Sequence, residues 1–521
     1  MMMEVDFLSQ LPSDVLISIL EKMDLRDAIR AGVLSRRWRR LSSQLPRLVL
    51  GYEDFLPKDP CTHIYYNEDD DDSGKEEGRP YDAFWEASDK MLRVAMALLA
   101  SRPSAAAAAP DDLIPGCTLS MSFLLRHNYK SVGRLLDDAV ASGKVRHLEL
   151  QISTTYWLYE SDDDETYTAT LRAMLRYGRP RLRTLLDSCP AVFGGLTRFA
   201  LEYTRLLNPD ELTEILNACP KLEALSLVFA GSVSRGKCPW SVRHARLSDV
   251  SFTCCNFYPG LNLAWLPRLE RCTFEEWNYY GAAAEQNQPL TFGHVPCLQT
   301  LTMSNTLRHD ERVVVLSQIL ANTAVADLCL DFNGRDIWVK PETPKRFNNI
   351  FGNLQHLKIH NVHQECGLTW TMFLLQAAPS LKELCIKPWD HECEMSNYTP
   401  TTIKKKNVAW EVAADFKHYN LTQLTILGFY STGEAIVAYL QYLAQAAVNL
   451  QEIHMYENEP CDECSDTPAG IGTTRIPQTE KDKDPLRESI SLISRGDDEP
   501  SMRIKIFMYS SSNRHSSGTH S

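Results

Sequence analysis

Between Val145 and Met455 the chain returns again and again to one six-residue pattern of apolar and polar positions, L-x-x-L-x-L with other apolar residues allowed. It reads VRHLEL from Val145, LTRFAL from Leu196, LEALSL from Leu222, LSDVSF from Leu247, LERCTF from Leu269 and LQTLTM from Leu298. It continues as VADLCL from Val325, LQHLKI from Leu354, LKELCI from Leu381, LTILGF from Leu424 and LQEIHM from Leu450. Most starts lie 22–29 residues apart; the two longer intervals hold RLRTLLDSCP and the polar insertion KPWDHECEMSNYTPTTIKKKN. The alternation within each hexamer is that of a strand with one buried face. Several hexamers follow a segment of helical spacing. NPDELTEILNACP has Asn208 as cap with Leu212, Ile215 and Leu216 on one face; ERVVVLSQILA, TMFLLQAAP and GEAIVAYLQYLAQAA repeat the arrangement, and TLSMSFLL with SVGRLLDDAVASGKV adds a strand and helix upstream. Helix and strand alternating at a period near 26 predict stacked leucine-rich repeats of the helix-bearing kind, each burying its apolar side only against its neighbours.

A second pattern precedes the repeats. In LSQLPSDVLISILEKMDLRDAIRAGVLSRRWRRL, Ser13 is a candidate cap, and Leu16, Ile19, Leu20 and Met23 recur at i, i+3, i+4 and i+7. Val15 and Ile17 fall outside that stripe. Asp24 with Asp27 opens a second helix through Ala28 and Ile29, and Ser35 a third that sets Trp38 and Leu41 on one side. Three short helices in about 40 residues are at the size where a fold needs a metal, disulfides or a partner. With no cysteine or ligand cluster in the segment, a partner protein is the physical answer.

These residues resemble an F-box: the Leu-Pro opening, Asp14, the Leu16/Ile19/Leu20 pattern, Ala31, Val33 and the basic-Trp ending at Arg37 and Trp38. The resemblance implies docking on the Skp-type adaptor of a cullin-based ubiquitin ligase, with Leu11, Pro12, Leu16, Ile19, Leu20, Val33, Leu34 and Trp38 presented to it. An F-box followed by the repeats resembles the plant F-box/leucine-rich-repeat group, and the stretch from Trp410 to Cys464 is similar to the terminal region of its grass members. The expected class is therefore α/β: a three-helix F-box at 6–48, then a linker at 49–116, a curved repeat solenoid at 117–457 and a polar tail at 458–521. The linker holds the acidic run NEDDDDSGKEEGRP, the low-complexity RPSAAAAAP and one helix between them. Parallel strands would line the concave face and helices the convex one.

Composition adds exclusions. Of 521 residues, 44% are hydrophobic and 23% charged, and the net charge is −13. A negative surface disfavours nucleic acid and acidic membranes as principal partners. The four arginines around Trp38 then read as a solvated helix face. Fifteen scattered cysteines, mostly beside apolar residues, read as free thiols of a reducing compartment. MMMEVDFLSQ lacks the basic and apolar regions of a signal peptide, and MLRVAMALLA is too short to span a bilayer. Cytoplasm or nucleus is the expected location.

Candidate chemistry is sparse. His356 and His360, four apart on one strand, are separated by about 13 Å, too far for one metal. His360, His363 and Cys366 could meet in a loop, and CDEC (Cys461, Cys464) is a C-x-x-C without a second pair. No phosphate-binding loop, dinucleotide fingerprint or nucleophile elbow occurs. The chain reads as a non-enzyme with no metal or cofactor.

Positions alternating with the apolar ones would face the target. They include Arg271 and Glu275; Asp327 and Asp331; His356, Lys358 and His360; Lys387; and His454 and Tyr456. Their mixed charge suits a protein partner. The rival reading is a scaffold or small-ligand receptor that acts without a cullin; neither the repeat number nor long inter-repeat loops favour a ligand pocket.

Overall fold

The computed structural model describes residues 11–56, 81–102, 116–154, 171–277, 288–305, 313–389, 410–428, 434–456 and 504–509. It has short breaks at 34, 43, 126–128, 173, 234–237, 335–336, 364–366 and 411–414, and includes 481, 484, 485 and 488. The acidic run, the alanine-rich segment, Cys461, Cys464 and the last twelve residues lie outside these. The chain forms two compact bodies, one of residues 1–237 with 242–249 and 255–258, the other of 238–241, 250–254 and 259–521.

The first body opens with helices α1 (Ser13–Leu20), α2 (Leu25–Arg30) and α3 (Arg36–Ser42). Two of the three expected caps are in place: Asp24 Oδ1 accepts from the Asp27 amide at 2.8 Å and Ser35 Oγ from the Trp38 amide at 3.3 Å. Ser13 does not cap. It is the first helical residue, Pro12 holds the cap position without a side-chain bond, and the Ser13 hydroxyl instead meets Arg37 at 3.4 Å. Leu16, Leu20, Ala28, Trp38, Leu41 and Leu45 make the interior.

Only four residues after α3, strand β1 (Arg47–Gly51) begins and pairs in parallel with β2 (Cys117–Leu124), Leu48 opposite Leu119 and Leu50 opposite Met121. Sheet structure thus starts at Arg47 and runs across the 48/49 line drawn from sequence, where a linker was expected. The connecting helix α4 (Tyr81–Ser101) buries Ala87, Met91, Ala95 and Leu99. Just past it, the buried Arg102 guanidinium donates to the Leu45 carbonyl at 2.9 Å, and Lys144 Nζ donates to the Leu99 carbonyl at 2.8 Å. Parallel pairing continues from β2 through α5 (Tyr129–Ala141) to β3 (Val145–Ser153), then β4 (Leu196–Glu202) and β5 (Ala224–Val228). The helix Pro209–Ala218 before β5 is capped by Asn208, as its sequence predicts.

In the second body β6 (Arg271–Glu275), β7 (Thr300–Ser304), β8 (Asp327–Asp331), β9 (His356–His363), β10 (Glu383–Trp389), β11 (Gln423–Leu427), β12 (Glu452–Tyr456) and β13 (Lys505–Tyr509) pair in parallel in that order. The register stacks apolar residues in rows. Leu328, Leu357, Leu384, Leu424 and Ile453 form one row and Leu330, Ile359, Ile386, Ile426 and Met455 the next, each 1% exposed or less. Each such side chain contributes about 1.5–3 kcal/mol relative to exposure. A main-chain signature accompanies the rows: the carbonyls of Gln299, Ala326, Gln355, Lys382 and Thr422 each accept two successive amides of the next strand. Among the described residues Tyr203, Phe229, Cys254 and Glu276 adopt positive φ just past a strand and turn the chain away from the sheet, while Asn361 does so within β9 where its register shifts.

Three sequence expectations change. The hexamer at β11 is LTQLTI from Leu421, not LTILGF from Leu424: Leu421, Leu424 and Ile426 are fully buried while Leu427 points outward. Helices do not fill every connection, since Leu261–Trp265 and Leu290–His294 are strands that pair with each other. And β13 arises inside the stretch read as polar tail.

Two buried histidines recur at one position of the pattern, three residues ahead of a consensus leucine. His244 Nε2 meets the Cys219 carbonyl at 3.0 Å while Nδ1 accepts the Leu247 amide at 3.2 Å. His418 does the same with the Ala378 carbonyl and the Leu421 amide, both at 3.0 Å. In each ring the amide-accepting Nδ1 must be unprotonated, and burial holds both histidines below their ordinary pKa. A folded-state pKa below the unfolded value of about 6.5 gives stability that is fully present above pH 6.5 and is lost as pH falls through the folded pKa. Thermal melting should therefore shift downward below about pH 6.5, and the double variant H244Q/H418Q should melt with a shallower pH slope over that window.

Removing Arg102 leaves the buried Leu45 carbonyl without its donor. Arg102→Ala should lower stability by about 1–3 kcal/mol in denaturant titration.

Candidate functional site

The apolar surplus of the N-terminal helices divides cleanly. Successive helical residues are rotated by about 100°, so Leu16 and Leu20 share one line and Val15 and Ile19 another. Leu16 and Leu20 are 0% and 1% exposed, and Trp38 is 6% exposed. By contrast Val15, Ile19 and Met23 are 37–40% exposed and Val33 is 81% exposed. Of the residues expected to meet an adaptor, Pro12, Ile19 and Val33 are therefore on the surface, and Leu11 is half-buried. Leu16, Leu20 and Trp38 turn inward instead, because a module this small needs its largest apolar side chains, with Ala28, Leu41 and Leu45, to build a core. Leu34 lies outside the described residues. Val15 and Met23 join the exposed set. Val15 was visible in the sequence as the residue outside the stripe, while Met23, counted in the stripe, lies beyond the helix end. Arg36, Arg39 and Arg40 are exposed, the solvated face anticipated for the basic run, but Arg37 is half-buried and donates to the Leu11 carbonyl at 2.5 Å.

The second candidate surface is the outward face of β6–β13. The register sets Arg271, Thr300, Asp327, His356, Glu383, Gln423, Glu452 and Lys505 in a first row. Lys358 and His454 lie in the second row, and Glu275, Asp331, His360, Lys387 and Tyr456 in the third. All ten predicted residues are thus on one face, although they do not converge on one point. Asp327 Oδ1 and Glu383 Oε1 flank the His356 ring at 2.5 and 3.9 Å. Asp331 accepts from Asn361 at 2.9 and 3.0 Å and from the Asn333 amide at 2.8 Å. His360 lies between two thiols, Cys329 at 4.0 Å from Nδ1 and Cys385 at 3.9 Å from Nε2. Burial lowers the His360 pKa and pushes the thiols of Cys329 and Cys385 up to about 12 and about 11. These are poor nucleophiles at neutral pH. Burial, with Glu276 and Asp331 nearby, raises the Glu275 carboxyl.

Sequence reasoning named His454 and Tyr456 on this face but missed Phe507 and Tyr509, which complete its aromatic end. His454 stacks on Phe507 with centroids 4.8 Å apart, Tyr456 stacks on Tyr509 at 4.5 Å, and the Tyr509 hydroxyl lies 3.3 Å from His454 Nδ1. The signal was present as the alternation in KIFMY, Ile506 inward and Phe507 and Tyr509 outward. In the first body, Glu149 sits on the corresponding outward face between Arg47 at 3.1 Å and Arg198 at 3.5 Å. Among the described residues no group of three His, Cys, Asp or Glu side chains is placed to hold a metal ion, and no helix is long and apolar enough to cross a membrane. Cys366 lies outside the described residues.

Residues 8–50, the three helices and most of β1, match the F-box domain family. The chain carries an F-box. Similar proteins are themselves plant F-box proteins, as the sequence predicts. An FBD-associated F-box protein of Arabidopsis thaliana is 26% identical over 392 residues, 73% of each chain. The F-box/LRR-repeat protein 13 of the same plant is 42% identical over 52 residues, 10% of this chain and 12% of that one. A third Arabidopsis F-box protein is 44% identical over 45 residues, 9% of each. Two of these likenesses thus span only about a tenth of either protein. F-box domains in general bind Skp-type adaptors of cullin-based ubiquitin ligases and are non-catalytic.

The division of the F-box surface gives a paired test. Leu16→Ala should cost about 2–5 kcal/mol of stability, whereas Ile19→Ala should change it by less than about 1 kcal/mol; chemical denaturation of the two variants measures both.

Proposed function

We propose that this chain is the substrate-recognition subunit of a cullin-type ubiquitin ligase, acting in the cytoplasm or nucleus. The F-box docks on the Skp-type adaptor, and the repeats, read as leucine-rich repeats, hold a target protein on their outward strand face. The observation that carries this reading is the exposed apolar group Val15, Ile19, Met23 and Val33 on a module whose interior is already filled. The repeat reading is supported by the parallel register and the doubly accepting carbonyls, which recur once per strand.

No reacting group on this chain is required. Binding the target raises the effective concentration of its lysines near a ubiquitin-charged partner, and that proximity is the catalytic contribution. The packing of Arg102 on Leu45 and the pairing of β1 with β2 suit such a role, because they hold the F-box firmly against the first strands.

Co-expression with a Skp-type adaptor tests the reading. The wild-type chain should co-purify with the adaptor, and I19D/V33D should lose it while keeping its melting temperature within a few degrees. A soluble wild-type chain that ignores the adaptor would sink the proposal.

A further inference from the structure

The outward face of β9–β13 is chemically polarised. Lys358 and Lys387 have no ion-pair partner among the described residues; on the strands beside Lys358, Asp327 is engaged by His356, Asp331 by Asn361 and the Asn333 amide, and Glu383 lies 3.9 Å from the far side of the His356 ring. Three strands further on, His454, Tyr456, Phe507 and Tyr509 form a half-exposed stacked platform. Adjacent strands are about 4.8 Å apart, so Lys387 on β10 and Tyr456 on β12 are separated by about 10 Å, and Lys358 on β9 and His454 on β12 by about 14 Å. At about 3.3 Å per residue, an extended peptide crossing the strands covers those distances in three and four residues.

We propose that this face takes an extended segment of the target in which a carboxylate side chain lies three or four residues from an aromatic or large aliphatic one. The carboxylate meets Lys358 and Lys387, and the apolar side chain stacks on Tyr456 and Tyr509. Charge complementarity selects the carboxylate. A polyanion is excluded by Glu383 and Glu452 in the same sheet face, where further negative groups would be repelled. The platform supplies rigid rings for contact, which bury area at low entropic cost. This inference rests on the target-binding role of the repeats proposed above.

The test is an array of immobilised peptides in a Gly-Ser background, each with one Asp and one Tyr at every separation from one to seven residues, probed with the full chain bound to its adaptor. Binding should peak at separations of three and four. K358E/K387E should weaken Asp-Tyr peptides about tenfold and favour Lys-Tyr peptides in their place, while K358R/K387R behaves as wild type. Y456S/Y509S should abolish dependence on Tyr but keep the preference for Asp over Lys. A cooperative melting transition like that of the wild type shows that each variant is folded. Binding without a spacing preference, or a pattern unchanged in both variant pairs, overturns the proposal even if the adaptor still binds. A preference seen only after deleting residues 510–521 also overturns it, by making this chain's own end the occupant. Failure to bind the adaptor with the peptide preference intact would instead strike the ligase reading alone.

Discussion

A strand with one apolar face and two open main-chain edges cannot be stable alone, and every other feature of this protein follows from how that deficit is met. The sheet register answers it twice at once. Aligning Leu328 with Leu357 and Leu384 continues an unbroken apolar row, and the same alignment lets one carbonyl per strand accept two amides from the next. Slipping any strand by one residue would exchange the rows Leu-Leu-Leu and Asp-His-Glu between interior and solvent. The inward rows therefore fix which polar side chains share the outward face, and hence which residues are available to a partner.

The F-box relies on the same ladder. Its helices run into β1 after four residues, and β1 is already a member of the sheet. A buried cation completes the join: Arg102, whose guanidinium burial pulls its pKa downward, donates to a carbonyl of the preceding module. An exposed apolar group on one side and a fixed strand on the other leave the F-box facing outward with its interior complete.

Much of this was legible in the sequence because it is local. Asp24, Ser35 and Asn208 cap helices through side-chain bonds to amides three residues on, a relation that spacing alone reveals. The inward apolar positions were likewise legible, except where a hexamer admits two frames, as at Leu421 and Leu424. What spacing cannot resolve is which of two neighbouring helical lines faces inward: it groups Leu16 and Leu20 with Ile19, yet only the first two join Trp38 in the module's own core. Non-local pairing was hidden too. His454 and Phe507 are 53 positions apart with a polar stretch between them, and only the ladder brings them together.

β13 is also the last described rung, and its five residues shield the far main-chain edge of β12. Loss of β13 would move the open edge to β12, leaving a bare row of amides and carbonyls beside the His454 and Tyr456 rings. Such an edge is a template for strand addition by any extended chain. Among the described residues β13 also ends the sheet, so its short length limits the open edge to five residues and places it beside the stacked rings of Tyr456 and Tyr509.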